Sequence, residues 1–212
     1  MTLAAEELLV KSRERVRSYG EVFTPRHMVE QMLDLVADDL EGPGFVDKTF
    51  LEPAAGDGNF LIAILRRKLA AVRRTFEPAL WPRESLFALA SIYGIELLED
   101  NHQDAQTLML QEFVAFHEDH GTDCSPSTDL HRAAAFLIAT NIVRGNTLTG
   151  QDPDGVDLEL SWWIRDEARP EVVHREPFTF VSLRESSMFD LAVYESYAPC
   201  PISDVHLEVR AG

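Results

Sequence analysis

The sequence predicts an α/β protein built on an open, mostly parallel sheet. Helical and strand-like patterns alternate along the chain with Pro and Gly between them. The stretch from Thr49 to Arg74 reads strand, glycine turn, helix, the start of a parallel crossover unit. With 212 residues and 45% apolar side chains, the chain is long enough to bury one sizeable core. Right-handed crossovers then give the strand order 3-2-1-4, with helices on both faces.

A first helix is expected over residues 4–17, stopping near Gly20. A second starts after Thr24-Pro25, with Thr24 as cap and Pro25 in the first helical position. In it Met28, Val29, Met32, Leu33, Leu35 and Val36 recur at three-and-four spacing, which gives one apolar face. It ends near Gly42-Pro43-Gly44, so residues 1–45 form an N-terminal helical segment and residues 46–212 the α/β domain. In that domain Thr49 to Pro53 is a buried strand, Ala54 to Asn59 a small-residue turn, and residues 60–74 a helix. Pro78, Trp81 and Pro82 mark a linker before a helix near residues 84–90 and a second apolar strand over residues 91–96. A helix over residues 100–116, a loop over 121–127 and a helix over 129–137 lead to a third strand at Ile142-Val143. Two further strands, over residues 158–164 and 178–183, flank a charged turn around Arg169-Pro170 as a hairpin insertion. Met188 to Tyr194 reads as a fourth core strand, and residues 205–209 alternate like a last, exposed one.

Composition removes whole classes of function. Only short apolar runs occur, such as Ala133 to Ala139, well below the ~18 residues a membrane-spanning helix needs. The first residues carry acid where a secretory signal carries base, and only Cys124 and Cys200 are cysteines, so a cytoplasmic protein with no membrane partner is expected. Nineteen Lys and Arg stand against 36 Asp and Glu, a formal net charge of −17 with the acid concentrated beyond residue 98. A duplex wants the opposite sign, which argues against unaided DNA binding. Arg66, Arg67, Lys68, Arg73 and Arg74 share one helix and read as a solvated face, as do Lys11, Arg13, Arg15 and Arg17 around Glu14.

The most informative stretch is Leu51-Glu52-Pro53-Ala54-Ala55-Gly56-Asp57-Gly58-Asn59-Phe60. A glycine turn at the carboxyl end of the first parallel strand lets backbone approach a ligand where side chains would collide, and aims the next helix N-terminus at it. An acid, Glu96, ends the next strand, where it can accept bonds from both hydroxyls of a ribose. Together these point to a nucleotide-like small molecule.

On these residues the sequence resembles the N6-adenine DNA methyltransferases of restriction–modification systems, which have a Rossmann-like fold and bind S-adenosylmethionine. Gly20-Glu21-Val22-Phe23-Thr24-Pro25 is similar to that family's N-terminal motif, so the resemblance implies that Thr24 and Pro25 meet the methionine end of the cofactor. Phe50 to Phe60 resembles the glycine-rich motif, which implies cofactor contacts from Glu52, Pro53, Ala54, Gly56, Asp57, Gly58 and Phe60. Tyr93-Gly94-Ile95-Glu96 is similar to the ribose motif. Asn141 to Leu148 is similar to the adenine-contacting segment, with Asn146 where the family usually has Asp, still an acceptor for an exocyclic amine.

The fourth strand departs from the family. Phe189-Asp190-Leu191-Ala192-Val193-Tyr194 matches, but Glu195-Ser196-Tyr197-Ala198 stands where the family has Asn-Pro-Pro-Tyr, the turn that frees the target amine's lone pair and stacks the flipped base. Without the prolines the turn loses its fixed shape, and the aromatic is shifted by one position. The expectation is a cofactor-binding core that is inactive alone or works with a partner chain supplying recognition and catalytic elements, so that DNA is met only indirectly. The competing expectation is a non-enzymatic acidic protein, a pseudo-methyltransferase or DNA-charge mimic acting on a restriction or DNA-binding partner. Two weaker constellations are read as structural: His117, His120 and Cys124 as an exposed loop and not a metal site, and Trp162-Trp163 as one core and one surface or interface aromatic.

Overall fold

The computed structural model describes residues 9–184 and 197–207. Three short strands, β1 (Phe50–Glu52), β2 (Ile92–Glu96) and β3 (Ile142–Arg144), form a parallel sheet in the order β1-β2-β3. Parallel pairing demands a crossover between strands, and both crossovers are helical. The first runs through α4 (Asn59–Thr75), a 3-10 turn at Pro78–Leu80 and α5 (Trp81–Ala90), the second through α6 (Glu99–Glu118) and α7 (Asp129–Asn141). The first three strands therefore lie in the expected order 3-2-1. The expected fourth strand, Met188 to Tyr194, lies outside the described residues, as do Glu195 and Ser196.

Before the sheet come α1 (Arg13–Tyr19), α2 (Arg26–Asp34) and α3 (Ala37–Glu41). Ser12 caps α1, accepting the Arg15 N–H on Oγ at 3.1 Å, so residues 9–12 of the expected opening helix are not helical, while residues 4–8 lie outside the described residues. Thr24 does not cap α2. Pro25 is the N-cap, and its carbonyl accepts the Met28 and Val29 N–H groups. Nor does the whole apolar face of that region reach the core: Val29 and Leu33 are buried, while Met28, Met32 and Leu35 are exposed. Val29, Leu33, Leu40 and Phe45 join the same core as α4 and α5.

All five residues of β2 are buried, and its two faces pack against different layers. Ile92 belongs to the helix-side core, and a Cβ on Gly94 would come within 2.9 Å of Leu61 in α4. Tyr93 and Ile95 point the other way, into a cluster with Leu158, Leu160, Phe178 and Phe180. Among the described residues, helices therefore do not cover both faces as expected. The second face is taken by a small antiparallel sheet of β4 (Glu159–Arg165), β5 (Val172–Thr179) and β6 (Cys200–Pro201). The Tyr93 hydroxyl donates to the Ser161 carbonyl at 2.8 Å, and Trp162 stacks on Phe178 with its edge toward Tyr93. Trp163 turns to the opposite side, where its Nε1 donates to Asn141 Oδ1 at 2.8 Å.

Two expected strands are corrected. β5 begins at Val172 and gives way at Phe180 to the short helix α8 (Phe180–Arg184), whose Val181 packs against Gly150. Residues 202–207 form a 3-10 helix in place of an exposed strand, because Ile202 and Val205, three apart, bury their side chains in the main core. Among the described residues no helix is long and apolar enough to cross a membrane.

Three buried polar groups tie the layers together. Lys68, fully buried, donates to the Lys48 carbonyl at 2.6 Å and to Ser91 Oγ, so it is no part of a solvated face. Burial pulls its pKa down to about 7, against the Asp47 carboxylate, which favours the ammonium. Glu84, 2% exposed, accepts from Arg83 at 2.6 Å and from Arg165 at 2.9 Å, and Arg165 lies over the Phe87 ring. This arginine pins β4 to α5. His117, 1% exposed, shares a hydrogen bond with Ser85 Oγ at 2.9 Å, and its burial lowers its pKa to about 4, with His120 adding to the shift.

Arg165→Met should cost about 2–4 kcal/mol in denaturant titration, because it strips a partner from a buried carboxylate. Adding Glu84→Leu should recover much of that loss, whereas strictly additive costs would locate the arginine's contribution elsewhere. His117 is neutral when folded and protonates near 6.5 when unfolded, so the unfolded state binds the proton first. Its contribution to stability is therefore complete above that pH and is lost as pH falls toward 4. Between pH 7 and 5 the natural chain should lose about 2 kcal/mol more than His117→Gln.

Candidate functional site

A cavity of about 660 Å³ opens at the carboxyl ends of β1, β2 and β3, the position where open α/β sheets bind ligands. Its floor is the turn after β1. Gly56, at φ +56, lies beneath the Phe23 ring, and its N–H donates to Glu96 Oε2 at 2.8 Å. The other carboxylate oxygen accepts the Leu98 N–H at 2.9 Å. These two bonds come from backbone, and Asn101 Nδ2 adds a long one to Oε1 at 3.5 Å, so Glu96 is held rigidly at the end of β2 and Oε2 keeps a lone pair for a further donor.

The far wall follows β3. Gly145 donates its N–H to the Glu96 carbonyl at 2.9 Å, and Thr147 Oγ1 donates to the Pro53 carbonyl, closing the β3 loop onto the β1 loop. Asn146 Oδ1 accepts the Leu148 N–H at 2.9 Å, a side-chain turn that spends one of its lone pairs and leaves one.

The near wall is the strap from Tyr19 to Thr24. No residue of α1 is buried, and the strap is held by charge. Arg15 grips Glu21 at 2.5 and 2.8 Å and Asp100 at 2.5 and 3.0 Å, while Lys11 reaches Asp100 and Asp104 at 3.0 and 2.8 Å. The Arg15 guanidinium holds the Asp100 carboxyl well below the usual carboxylate range. Lys11 and Arg15 are thus clasp residues, whereas Arg13 and Arg17 are exposed. Inside the clasp, fully buried Asn101 donates to Glu21 Oε1 at 2.7 Å.

Of the residues expected here, Thr24, Glu52, Pro53, Ala54, Gly56, Asp57, Phe60, Glu96 and Asn146 line the cavity. Pro25 and Gly58 do not. Pro25 serves α2, and Gly58, at φ +94, lets α4 approach α6, where a Cβ would come within 3.0 Å of Ala105 Cα. Tyr197 lies away from this wall, its ring beneath the Arg175 guanidinium at 4.3 Å. The lining residues that sequence reasoning missed are chiefly Glu21, Phe23 and Asn101. Glu21 and Phe23 stood inside a quoted motif, but Asn101 carried no signal, since its role depends on where α6 meets the strap. His117, His120 and Cys124 serve packing: His120 Nδ1 is 2.6 Å from the Phe116 carbonyl, and burial pushes the Cys124 thiol up to about 11.

Arg15→Gln should speed amide hydrogen exchange over residues 19–24 several-fold while leaving the β2 amides protected, and added salt should reproduce part of the effect. Equal protection in variant and natural chain would show that packing, not charge, holds the strap. No protein-family model, curated protein or solved structure matches this chain.

Proposed function

We propose that the chain is an S-adenosylmethionine-binding core with a Rossmann-like methyltransferase fold, akin to adenine-N6 DNA methyltransferases, that does not methylate DNA by itself. The observation that carries this reading is Glu96: a buried acid at the end of the second parallel strand, locked by the Gly56 and Leu98 N–H groups and touched by Asn101 Nδ2, with a lone pair left on Oε2 for a ribose hydroxyl. A nucleoside fits the cavity volume, which lies in the ordinary range for small-molecule sites. Asn146 lies on the adenine side, with one acceptor lone pair remaining on Oδ1. Thr24 and the strap enclose the amino-acid end. When bound, the cofactor supplies an electrophilic methyl group. This chain's residues bind and orient it and exclude water.

The substrate half supports the second clause. Transfer to an exocyclic amine needs acceptors fixed in a rigid turn, and Glu195-Ser196-Tyr197-Ala198 lacks the prolines that fix one. Tyr197 stacks under Arg175 in the antiparallel sheet, so its ring is not presented at the cavity. A partner chain would then bring the recognition and catalytic elements, and exposed Tyr19, Val22 and Leu148 at the cavity mouth are apolar surface for it to cover.

Calorimetric titration should show one S-adenosylmethionine site per chain, with affinity weakened about 5- to 150-fold by Glu96→Gln, the cost of about 1–3 kcal/mol for one buried pairing lost. Tritium transfer from the cofactor to mixed-sequence DNA should leave adenine unlabelled. Label in adenine that disappears in Glu195→Ala would overturn the inactive reading, and no binding of cofactor would favour the acidic interaction protein.

A further inference from the structure

The cavity wall is unbalanced in charge. Glu21, Glu52, Asp57 and Glu96 line it, and among the described residues that line it there is no Lys, Arg or His. Glu21 is neutralised by Arg15, but Glu52 and Asp57 form no ion pair among the described residues. Glu52 accepts only a backbone N–H, from Ala54 at 3.0 Å, and one carboxylate oxygen of Asp57 is buried with no hydrogen-bond partner. A cation that acts on Asp57 is Lys11, whose ammonium is already committed to Asp100 and Asp104. Fully buried Asn101 adds a second unsatisfied oxygen: its amide nitrogen faces the Glu21 and Glu96 carboxylates, which fixes the orientation and leaves Oδ1 without a partner.

From this wall we infer that the cavity is charge-selective: it takes adenosyl ligands that carry a cation beside the ribose, a sulfonium or an ammonium, in preference to the neutral thioether, and rejects phosphorylated nucleotides. The inference rests on the reading of the cavity as an adenosyl site. Uncompensated carboxylates in a partly desolvated wall attract a cation more strongly than water would allow, and repel phosphate by the same field. Burial raises the pKa of both the Glu52 and the Asp57 carboxyls, a cost of desolvating their charge that a nearby cation would offset. A bound cation supplies that offset. Loss of the ligand's positive charge in the thioether product removes it again, so the site favours the methyl donor over the spent form.

The test is calorimetric titration of the full chain with S-adenosylmethionine, S-adenosylhomocysteine and ATP at low and high salt. S-adenosylmethionine should bind about tenfold or more tighter than S-adenosylhomocysteine, and ATP should give no heat of binding. Raising salt from about 0.02 to about 0.2 M should weaken the sulfonium and leave the thioether nearly unchanged. In Glu52→Gln/Asp57→Asn the preference should shrink several-fold. If that variant does not fold, the salt comparison on the natural chain decides alone. Equal affinities, a tighter thioether, or binding of ATP would overturn the charge selectivity while sparing the adenosyl reading. Failure of both adenosyl compounds to bind would overturn the two together.

Discussion

The Glu96 carboxylate accepts the Gly56 N–H through one oxygen and the Leu98 N–H through the other, so a single side chain fixes both the turn that leaves β1 and the turn that leaves β2. The backbone continues the arrangement, since Ala55 donates to the Ile95 carbonyl and Gly145 to the Glu96 carbonyl, each at 2.9 Å. All three loops at the carboxyl end of the sheet therefore register on the last two residues of β2. The helices α4 and α6 start from those loops, and their directions are set there. A buried carboxylate without such donors would be costly to hold, and here the peptide groups that satisfy it are the ones that shape the cavity.

A three-stranded parallel sheet with helices on one side would leave Tyr93 and Ile95 facing water. The hairpin of β4 and β5 solves this with Leu158, Leu160 and Phe178, and β6 completes a second sheet against it. Its placement depends on polar anchors as much as on apolar area. The Tyr93 hydroxyl on the Ser161 carbonyl sets the depth, and Arg165 on Glu84 and Phe87 sets the far end. An apolar face alone tolerates sliding, whereas these bonds admit one register.

The parallel core was legible because each of its parts carries a local signal. Gly-Asp-Gly after an apolar strand, and an acid closing the next, specify a turn and a terminus without reference to distant residues. Glu52, Pro53, Ala54, Gly56, Asp57, Phe60 and Glu96 line the cavity for that reason, whereas Thr24 and Asn146 come from the family resemblance. What escaped the sequence depends on tertiary partners. Ser12 caps the start of α1, and Lys11 and Arg15 read as solvated until α6 brings Asp100 and Asp104 against them. Lys68 looked like one cation among five on a helix, yet it points to the carbonyls of residues 46 and 48 and is sealed. Val205 and Leu207 alternate as a strand would, but the pair that is buried is Ile202 and Val205, at 3-10 spacing.

The same pairing explains how so acidic a chain holds together, and it limits what the chain can touch. On α4, Arg67 is shared by Glu30 and Asp34, Arg66 by Glu112, and Arg74 by Glu41. Each such exposed pair contributes little to stability by itself, but together they draw α2, α3 and α6 against one helix and cancel local repulsion. A guanidinium engaged by a carboxylate is a poor phosphate ligand, since the carboxylate must first be displaced and left unpaired. Three of the five cations of α4 are thereby engaged by carboxylates and Lys68 is buried, which leaves Arg73, 3.3 Å from His120 Nε2. With 36 acidic residues against 19 basic, the net charge of the chain opposes the approach of a duplex.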